Sequence, residues 1–372
     1  MRVIIAGGGT GGHLFPGLAI AEEFRLRDSD TEVVFVGTEH GIEAKVIPRE
    51  GYRLMFVRAE KFVGVSIVNK MTAMVKAIFS LSDSYRILKS VRPDIVIGVG
   101  GYASGAIMFT AFLLSIPTMI LEQNSVPGLT NKILGRFVNT VCTTYQDSMT
   151  YFPRTKAFLT GNPVRRQILM GDIDSACRLF SLEKGLFTVL IFGGSSGAKR
   201  INTALVEALN YLHDLKDQIQ FLHQTGPKDY ENIREAYRKA SFKGTITPFI
   251  YQMGEAYAVA DIVISRAGAT TLAELTALGK PAILIPYPFA AGNHQVLNAR
   301  KLSQMGAAKM MLDNELRGED LAQNIRDLYG NEVMRVEMQR NSKALGRPDA
   351  RGRVVDIASS LIRQSSVSTQ QG

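Results

Sequence analysis

The sequence predicts an α/β protein with two doubly wound domains that face a shared cleft. Short β-branched runs alternate with helical stretches along the 372-residue chain, which is the pattern of parallel strands joined by crossover helices. Two segments repeat one another, and each half opens with a glycine-rich loop after its first strand. Together these observations indicate two related halves that hold a ligand between them.

The strands are predicted from uninterrupted apolar runs, which are typical of buried parallel strands. In the first half the runs are VIIA, VVFVG, DIVIGV and PTMIL, and in the second half they are TVLIFG, IQFLHQ, DIVIS and AILIPY. Residues 95–121 carry no charge and have the length of a membrane span. Glycines near the start of this segment and Pro117 near its end divide it instead into a strand, a turn, a helix and another strand.

An internal repeat supports that division. Asp94 precedes a strand, a glycine turn, an apolar helix and Pro117, and Asp261 precedes the same series, which ends at Pro281. The helix of the second copy contains a charged residue, Glu274, so this copy is unsuited to span a bilayer. Because the copies correspond, we expect the first to be an ordinary strand–helix–strand unit as well.

The domain boundaries are predicted from turn residues and polarity. The first domain is expected over 1–162 and the second over 163–345, and the boundary region, 161–185, is a polar stretch of turn residues and charges that is read as a linker. A helix over 346–364 is expected to return to the first domain. Residues 365–372 are polar and lack apolar periodicity, which predicts a disordered tail.

The composition restricts the kinds of partner. A net charge of +9 suits a phosphorylated substrate or an anionic membrane surface. The chain has no RNP-type sequence, zinc knuckle or compact basic run, so no nucleic acid partner is expected. Cys142 and Cys177 lie in unrelated contexts, which indicates neither a disulfide framework nor a zinc site. Asp172 and Asp174 have the DxD spacing of metal-dependent transferases, but they lie in the predicted linker, so no metal is expected there.

The first glycine-rich loop reads GGGTGGH over residues 7–13, between a strand and a helix. Glycines let backbone N–H groups approach a phosphate at the positive end of a helix dipole. The loop formally satisfies the GxGxxG pattern of dinucleotide sites, for which Glu39 after the second strand would supply the acidic residue. The alternative is a tight turn without a ligand.

Two constellations in the second half also suit a phosphorylated ligand. Residues 193–197 read GGSSG and open a helix, and residues 265–274 read SRAGATTLAE at another strand-to-helix junction. Glu274 follows Thr270 by one turn on the same face of the predicted helix, where it is placed to accept both hydroxyls of a ribose. The alternative for Glu274 is a solvated carboxylate that stabilises the helix dipole.

Seven motifs, in order along the chain, resemble those of one enzyme family. They are GGGTGGH, GGYASG (100–105), LEQNSVPGLTNK (121–132), GNPVR (161–165), FGGSSGA (192–198), HQTG (223–226) and SRAGATTLAE, with Asn293, His294 and Gln295 downstream. The combination closely resembles the inverting transferases that add N-acetylglucosamine to undecaprenyl-linked muramyl-pentapeptide in peptidoglycan synthesis. The resemblance implies two Rossmann-like domains in the GT-B arrangement and UDP-N-acetylglucosamine as the donor. It implies no cofactor and no catalytic metal.

The resemblance also implies which residues bind the donor. Ile250 would lie against the uracil and Glu274 on the ribose, while Arg165 and the loop at Ser195 suit the diphosphate. The donor-side positions are Arg165, Ser195, Ile250, Ala269, Thr270, Thr271, Leu272, Ala273, Glu274 and Gln295. The first-domain side of the sugar-nucleotide site would comprise Thr10, Gly11, Gly12 and Asn124. The segment before Gln295, PYPFAAGNH, departs from the family because it lacks the charged residues expected there.

The acceptor is expected to bind the first domain, with its diphosphate at the first glycine loop and at an acceptor-side loop. That second loop comprises Gly100, Gly101, Tyr102 and Ser104. His13 is a candidate base for the muramyl hydroxyl, because an imidazole titrates near neutral pH. A hydrogen bond from His13 to phosphate is the alternative. Glu122 is the other candidate base, or else a structural carboxylate at a strand end.

A lipid-linked acceptor requires access to a bilayer. Residues 67–89 predict a helix with an apolar face and basic residues near it: Ile67, Met71, Met74, Val75, Ile78 and Phe79, with Lys70, Lys76, Arg86 and Lys89. This pattern favours peripheral association with an anionic membrane surface, which the resemblance places at the cytoplasmic face of the inner membrane. A helix packed on its own sheet is the alternative. The resemblance also implies other cell-wall synthesis proteins as partners.

Other functions remain open at this point. They are another GT-B glycosyltransferase acting on a glycolipid or small aglycone, a UDP-sugar 2-epimerase, and an inactive nucleotide-sugar-binding module. Of the remaining histidines, His40 and His213 are expected at the surface. His223 closes a predicted strand, where it either points towards the cleft or packs in the core.

Overall fold

The computed structural model describes residues 1–58, 67–194 and 197–370, with the backbone alone described for 67–78, 291 and 366–370. The chain divides into two compact units. The first comprises Met1–Arg165 and Pro348–Gly372, and the second comprises Arg166–Arg347. Each unit contains a parallel sheet with helices around it, which confirms the predicted α/β fold class.

The first unit has, among its described residues, a parallel sheet of seven strands in the order β3-β2-β1-β4-β5-β6-β7. The strands are β1 (Arg2–Gly7), β2 (Glu32–Gly37), β3 (Arg53–Phe56), β4 (Ile95–Gly100), β5 (Thr118–Glu122), β6 (Thr140–Thr143) and β7 (Ala157–Leu159). The helices are α1 (Gly11–Arg27), α2 (Glu43–Arg49), α3 (Ile67–Val91), α4 (Tyr102–Leu113), α5 (Leu129–Leu134), α6 (Gln146–Met149) and, from the end of the chain, α16 (Ala350–Gln370).

The central strands of this sheet are covered on both faces, which explains their continuous apolar sequence. Val3 and Ile5 of β1 belong to the core cluster that includes α1 and α16. Ile4 and Ala6 belong to the cluster on the other face, with residues of α4. Successive side chains of a strand point to opposite faces, so a strand buried on both sides needs apolar residues at every position.

The second unit repeats this architecture. Its described residues form a parallel sheet of six strands in the order β10-β9-β8-β11-β12-β13. The strands are β8 (Phe187–Phe192), β9 (Ile219–Gln224), β10 (Lys243–Thr247), β11 (Ile262–Ser265), β12 (Ala282–Leu284) and β13 (Lys309–Met310). The helices are α7 (Arg166–Leu169), α8 (Ile173–Leu179), α9 (Lys199–Tyr211), α10 (Tyr230–Ala240), α11 (Met253–Val259), α12 (Ala269–Leu278), α13 (His294–Gln304), α14 (Gly318–Gly330) and α15 (Glu332–Leu345).

The aspartates of the sequence repeat make the same contact in both units. The Asp94 carboxylate accepts a 2.7 Å hydrogen bond from the backbone N–H of Arg2 at the start of β1. The Asp261 carboxylate accepts a 2.7 Å hydrogen bond from the backbone N–H of Thr188 in β8. Each aspartate therefore ties the beginning of its own strand to the first strand of its unit, which gives the repeat a structural reason.

The predicted linker is helical over part of its length. Helices α7 and α8 both fall within 161–185, and the Asp172 carboxylate accepts a 2.8 Å hydrogen bond from the backbone N–H of Ser175. Asp172 is thus the N-cap of α8, which accounts for half of the DxD pattern. Among the described residues, no group of three or more His, Cys, Asp and Glu side chains is placed to hold a metal ion.

The end of the chain also differs from expectation. The sequence predicts a disordered tail from residue 365, but α16 continues to Gln370. Val354, Val355 and Ala358 of this helix are buried in the cluster that contains α1. Once packing has formed the first turns, each further residue adds a hydrogen bond at low entropic cost, so polar residues can extend the helix. No helix in the described parts of the chain is long and apolar enough to cross a membrane.

A buried polar network lies behind β9 in the second unit. His223 is fully buried, so the prediction that it points towards a cleft is wrong and the core alternative holds. Its Nε2 lies 3.1 Å from Asn202 Oδ1, and its Nδ1 lies 3.3 Å from the hydroxyl of Tyr237. The Asn202 amide donates to the Thr225 carbonyl at 2.9 Å, so its oxygen is the acceptor for Nε2–H. The network therefore holds a neutral imidazole, and burial lowers the pKa of His223 to about 3.

We expect this imidazole to make stability depend on pH. In the unfolded chain a histidine titrates near pH 6.5, whereas His223 in the folded chain stays neutral down to about pH 3. Its contribution is therefore complete above pH 6.5 and is lost as the pH falls, because the unfolded state then binds the extra proton. When the pH is lowered from 7 to 5, the unfolding free energy of the wild type should therefore fall by about 2 kcal/mol more than that of His223→Gln.

Urea unfolding at the two pH values measures this difference. His213→Gln is the matched control, because His213 is exposed. An equal pH dependence in the wild type and His223→Gln would contradict the neutral buried imidazole.

Candidate active site

Each sheet reverses its strand order at one point, and the two principal glycine loops lie at these points. In the first unit β1 is flanked by β2 and β4, so the loops after β1 and β4 leave the sheet side by side. In the second unit β8 is flanked by β9 and β11 in the same way. Ligands of open α/β sheets bind at such switch points, beyond the carboxyl ends of the strands.

The two loops of the first unit interlock through glycine backbones. The backbone N–H of Gly8 donates to the carbonyl of Gly100 at 3.3 Å. A Cβ atom added at Gly7 would lie 2.3 Å from the Gly100 carbonyl oxygen, and one at Gly101 would lie 2.6 Å from the Gly8 carbonyl oxygen. Gly100 and Gly101 also have φ values of 98° and 84°. Only glycine satisfies both the contact and the conformation.

This contact brings two helix N-termini together. Thr10 is the exposed N-cap of α1, whose first turn contains Gly11 and Gly12, and Gly101 is the N-cap of α4. The first N–H groups of a helix lack intrahelical partners, and the helix dipole is positive at this end. Two such ends at one switch point form a site suited to an anion with more than one charged group.

The remaining predicted residues of the acceptor-side loops differ in accessibility. Tyr102, the first residue of α4, is exposed. Ser104 is fully buried, and its hydroxyl donates to the Gly101 carbonyl at 2.8 Å, so the prediction that it lines the acceptor loop is wrong and it stabilises the helix end instead. His13 is half-buried, and its ring lies against Gly100, where an added Cβ atom would come within 2.6 Å of Nδ1.

Glu122 holds the loop after β5. Its carboxylate is buried and accepts hydrogen bonds from the backbone N–H of Asn124 at 2.9 Å and of Gly128 at 3.2 Å. The side-chain amide of Asn131 donates a further bond at 2.9 Å. Burial raises the pKa of Glu122, and the hydrogen bonds from Asn124, Asn131 and Gly128 oppose that rise. The geometry is that of a loop anchor, which sets the position of Asn124.

The acidic residue beside the first glycine loop is Glu43, not Glu39. Glu39 is exposed on the turn after β2. Glu43, the first residue of α2, is buried, and its carboxylate accepts a 2.7 Å hydrogen bond from the backbone N–H of Gly9. The sequence reasoning missed it because dinucleotide sites place the acid at the strand end. The available signal was the pair of glycines, Gly37 and Gly41, that flank the approach to α2.

Arg165 ends the first unit, three residues beyond the predicted boundary. Its guanidinium lies over the ring of Phe15 on α1, 4.2 Å from the ring centroid, in a cation–π contact. The side chain is buried, with 8% of the residue's surface exposed. The aromatic contact therefore fixes the guanidinium near the N-terminal turn of α1.

In the second unit, the predicted ribose carboxylate is held in place by a tyrosine. Glu274 lies in the second turn of α12, and its Oε2 accepts a 2.8 Å hydrogen bond from the Tyr257 hydroxyl. Glu274 is 7% exposed, so the alternative of a solvated carboxylate is wrong. Thr270 is buried on the same helix, and Gly268 is the N-cap. The remaining predicted positions of this turn, Ala269, Thr271, Leu272 and Ala273, all lie within α12.

Gln224 connects two parts of the donor side that the sequence treats separately. Its amide nitrogen donates to the Gly194 carbonyl at 2.9 Å, and its oxygen accepts from the backbone N–H of Ile250 at 2.9 Å. Ser195 itself lies outside the described residues. Gln224 is buried, and the HQTG motif that contains it suggested no role. Its position at the carboxyl end of β9, beside the switch point, was the available signal.

Gln295 holds the loop that precedes its own helix. Its side-chain oxygen accepts a 2.9 Å hydrogen bond from the backbone N–H of Tyr287. This bond closes the loop that joins β12 to α13. Arg266 donates to the carbonyls of Ile285 and Pro286 at the start of the same loop, at 3.1 and 3.2 Å. Its guanidinium also forms an ion pair with Asp313, which lies beyond β13.

Comparisons with known proteins agree with this architecture. Residues 3–143 match the glycosyltransferase family 28 N-terminal domain, and residues 188–354 match the glycosyltransferase family 28 C-terminal domain. A protein of Thermodesulfovibrio yellowstonii is 52% identical over 364 residues, which cover 98% of this chain and 100% of that protein. It is named UDP-N-acetylglucosamine–N-acetylmuramyl-(pentapeptide) pyrophosphoryl-undecaprenol N-acetylglucosamine transferase.

Solved structures show the same fold. The crystal structure of Acinetobacter baumannii MurG aligns with a TM-score of 0.75 at 30% identity and covers 96% of this chain and 99% of its own. The UDP-GlcNAc 2-epimerase of Neisseria meningitidis aligns with a TM-score of 0.70 over 97% of this chain and 100% of its own, at 14% identity. The second likeness shows the fold alone.

The bridge made by Gln224 leads to a prediction. Gln224→Leu removes both hydrogen bonds and frees the Gly194 loop and Ile250, so the affinity for UDP should fall about tenfold or more. Isothermal titration with UDP measures the change. Gln220→Leu is the matched control, because Gln220 is buried at the opposite end of β9 and binds Glu183 through its amide. Equal losses of UDP affinity in the two variants would contradict a role specific to Gln224.

Proposed function

We propose that this chain, which belongs to glycosyltransferase family 28, transfers N-acetylglucosamine from UDP-N-acetylglucosamine to the muramyl 4-hydroxyl of undecaprenyl-pyrophosphoryl-N-acetylmuramyl-pentapeptide. The observation that carries the proposal is the 52% identity with a transferase of that name over the full length of the relative. Each unit has a switch point with a helix N-terminus that suits a phosphate, and both the donor and the acceptor of this reaction contain a diphosphate.

The donor binds to the second unit. Glu274 accepts the ribose hydroxyls through its carboxylate, which the Tyr257 hydroxyl fixes from the other side at 2.8 Å. The backbone of Ile250, held by Gln224, contacts the uracil. The N-terminus of α12 and the loop that contains Ser195 bind the diphosphate. They stabilise UDP as it leaves, because helix N–H donors and the helix dipole act where negative charge develops.

The acceptor diphosphate binds to the first unit, where the N-termini of α1 and α4 meet. Thr10, Gly11 and Gly12 supply the first of these ends. Gly100, Gly101 and Tyr102 supply the second. Asn124, which Glu122 orients, contacts the transferred sugar. Arg165 offers a guanidinium to a phosphate, with its plane fixed on Phe15.

His13 is the general base of the proposed reaction. The muramyl 4-hydroxyl oxygen bonds to the anomeric carbon of N-acetylglucosamine as the bond to the UDP β-phosphate breaks and its electron pair leaves with UDP. The imidazole takes the hydroxyl proton, and the configuration at the anomeric carbon inverts. Three backbone and side-chain donors already occupy the Glu122 carboxylate, which favours an anchoring role for that residue.

The surface that we propose binds the membrane lies on the first unit. Phe112 and Leu113 of α4 are exposed, as are Ile133 of α5 and Phe137 just beyond it, and we call these four residues the apolar patch. Phe112 and Phe137 are 5.5 Å apart at their ring centroids. Lys132 and Arg136 lie next to the patch in sequence, which suits the headgroups of an anionic bilayer.

The face predicted from residues 67–89 belongs to α3, and this helix packs against α4. Phe79 of that face is exposed. The side chains of 67–78, including Lys70 and Lys76, lie outside the described residues. The proposed location is therefore the cytoplasmic face of the inner membrane, bound peripherally.

A transfer assay tests the proposed reaction. Radiolabelled N-acetylglucosamine should pass from its UDP donor to a lipid-linked muramyl-pentapeptide analogue. A UDP-sugar 2-epimerase, the alternative with the same fold, would change the configuration of the UDP-sugar without an acceptor. Tight UDP binding with neither product would indicate an inactive binding module.

The same assay separates the roles of His13 and Glu122. His13→Ala removes the base, so kcat should fall about a hundredfold or more, with UDP affinity within about twofold of the wild type, since His13 is in the other unit. Glu122→Gln loosens a loop and should raise the acceptor KM more than it lowers kcat. A larger loss of kcat in Glu122→Gln than in His13→Ala would assign the base to Glu122.

Sedimentation with phosphatidylglycerol-containing vesicles tests the membrane surface. The double variant Phe112→Ser, Leu113→Ser loses two exposed apolar side chains and should bind vesicles about tenfold more weakly. Val333→Ser with Val336→Ser is the matched control, because these two exposed valines lie on α15 of the second unit. Equal binding by the two double variants would exclude the apolar patch as the membrane contact.

A further inference from the structure

The carboxylate of Glu43 lies in a pocket that three glycines leave open. A Cβ atom added at Gly8 would lie 2.3 Å from Glu43 Cδ, one at Gly37 would lie 2.5 Å from Cγ, and one at Gly41 would lie 2.1 Å from Oε2. Glu43 itself is 1% exposed. The chain therefore has no side chain at three positions, from two separate segments, around one buried carboxylate.

This carboxylate joins the two loops that surround it. Its Oε2 accepts the backbone N–H of Gly9 at 2.7 Å, from the loop between β1 and α1. Its Oε1 accepts the backbone N–H of Thr38 at 2.9 Å and the Thr38 hydroxyl at 3.0 Å, from the turn after β2. Burying a charge is costly unless hydrogen bonds satisfy it, and here both oxygens have donors.

We propose that Glu43 is a positioning residue for the acceptor: by binding the Gly9 N–H, it sets the glycine loop so that the first turn of α1 and His13 meet the acceptor diphosphate and hydroxyl. The inference rests on the proposed function. It goes beyond that function because Glu43 contacts neither substrate and instead sets the position of the loop that binds the acceptor. The Gly9 N–H is bonded to Glu43 and is therefore not directed at an anion. The anion is bound instead by the N–H groups at the start of α1.

The role requires a carboxylate rather than an amide. All three groups that face Glu43 donate hydrogen bonds, and an ionised carboxylate accepts on both oxygens. A glutamine at this position has one accepting oxygen. In either orientation of this amide, one backbone N–H, of Gly9 or of Thr38, faces the NH₂ group, so that two donors oppose each other and the link between the two loops is broken. Glu43→Gln thus keeps the shape of the side chain but releases the glycine loop.

The test measures both substrates of the transfer reaction in Glu43→Gln. The acceptor KM should rise about tenfold, because a buried donor loses its partner. The UDP dissociation constant should stay within about twofold, because Ile250 and Glu274, which are proposed to bind the uracil and the ribose, are in the second unit. A variant that merely destabilised the protein would change both substrates' constants together.

Two control variants isolate the Gly9 contact. Thr38→Val removes one donor from the far oxygen and leaves the Gly9 bond, so its acceptor KM should stay within about threefold of the wild type. Glu39→Gln changes the exposed acid nearby and should have no effect. An unchanged acceptor KM in Glu43→Gln would overturn the proposal, as would equal shifts for donor and acceptor, or an equal shift in Thr38→Val.

A second measurement does not depend on activity. Hydrogen exchange of a peptide covering residues 4–14 should accelerate in Glu43→Gln at the Gly9 amide and stay at the wild-type rate in Thr38→Val. Unchanged exchange in Glu43→Gln would overturn the proposal even if the enzyme is active. If the wild type transferred no sugar but Glu43→Gln showed the expected change in exchange, the proposed function would be rejected. The role of Glu43 in holding the glycine loop would still be supported.

Discussion

The close approach of two backbone segments at the centre of the first sheet determines where the loops and helices beyond its carboxyl edge can lie. The loops after β1 and β4 meet through Gly7, Gly8, Gly100 and Gly101, at distances that exclude any side chain. Because the loops meet there, α1 and α4 begin next to each other. The concentration of N–H groups and of positive dipole ends at this point follows from that packing. The proposed anion site is therefore a consequence of backbone geometry, and the side chains around it set the position of the loops.

The second unit reaches a similar arrangement with a different distribution of polar contacts. Both units use an aspartate to tie the fourth strand of the pattern to the first. In the first unit, buried carboxylates fix the loops: Glu43 binds one and Glu122 another. In the second, an amide, Gln224, makes the corresponding bridge. A neutral bridge suits a unit that already buries the Glu274 carboxylate beside its ligand turn.

Much of the fold follows from sequence patterns, because buried parallel strands must be apolar at every position. The inner strands β1, β4, β8 and β11 were predictable for this reason. Shorter strands nearer the edges, such as β3 and β13, present half-exposed residues and lack that pattern. The helix over 350–370 was predictable as far as residue 364 and was missed over 365–370, where continuation of the helix and not burial decides the structure.

The candidate site was predictable where function depends on backbone, and less so where one side chain positions another. The glycine loops and the turn at Ala269–Glu274 carry their chemistry in local sequence. Glu43 and Gln224 act through partners about thirty residues away along the chain, and no local pattern encodes those contacts. His223 of β9 illustrates the same limit, because its role depends on Asn202 of α9 and Tyr237 of α10.

The return of α16 to the first unit has a consequence for biosynthesis. Val354, Val355 and Ala358 complete a core whose other members lie before residue 143, whereas the second unit is one continuous stretch, Arg166–Arg347. On the ribosome, the second unit therefore has its whole sequence available before the first can bury the apolar surface of α1. That surface stays open to solvent until residues 354–358 have been synthesised. The unit synthesised first is thus the last to be completed, which reverses the usual vectorial order of domain folding.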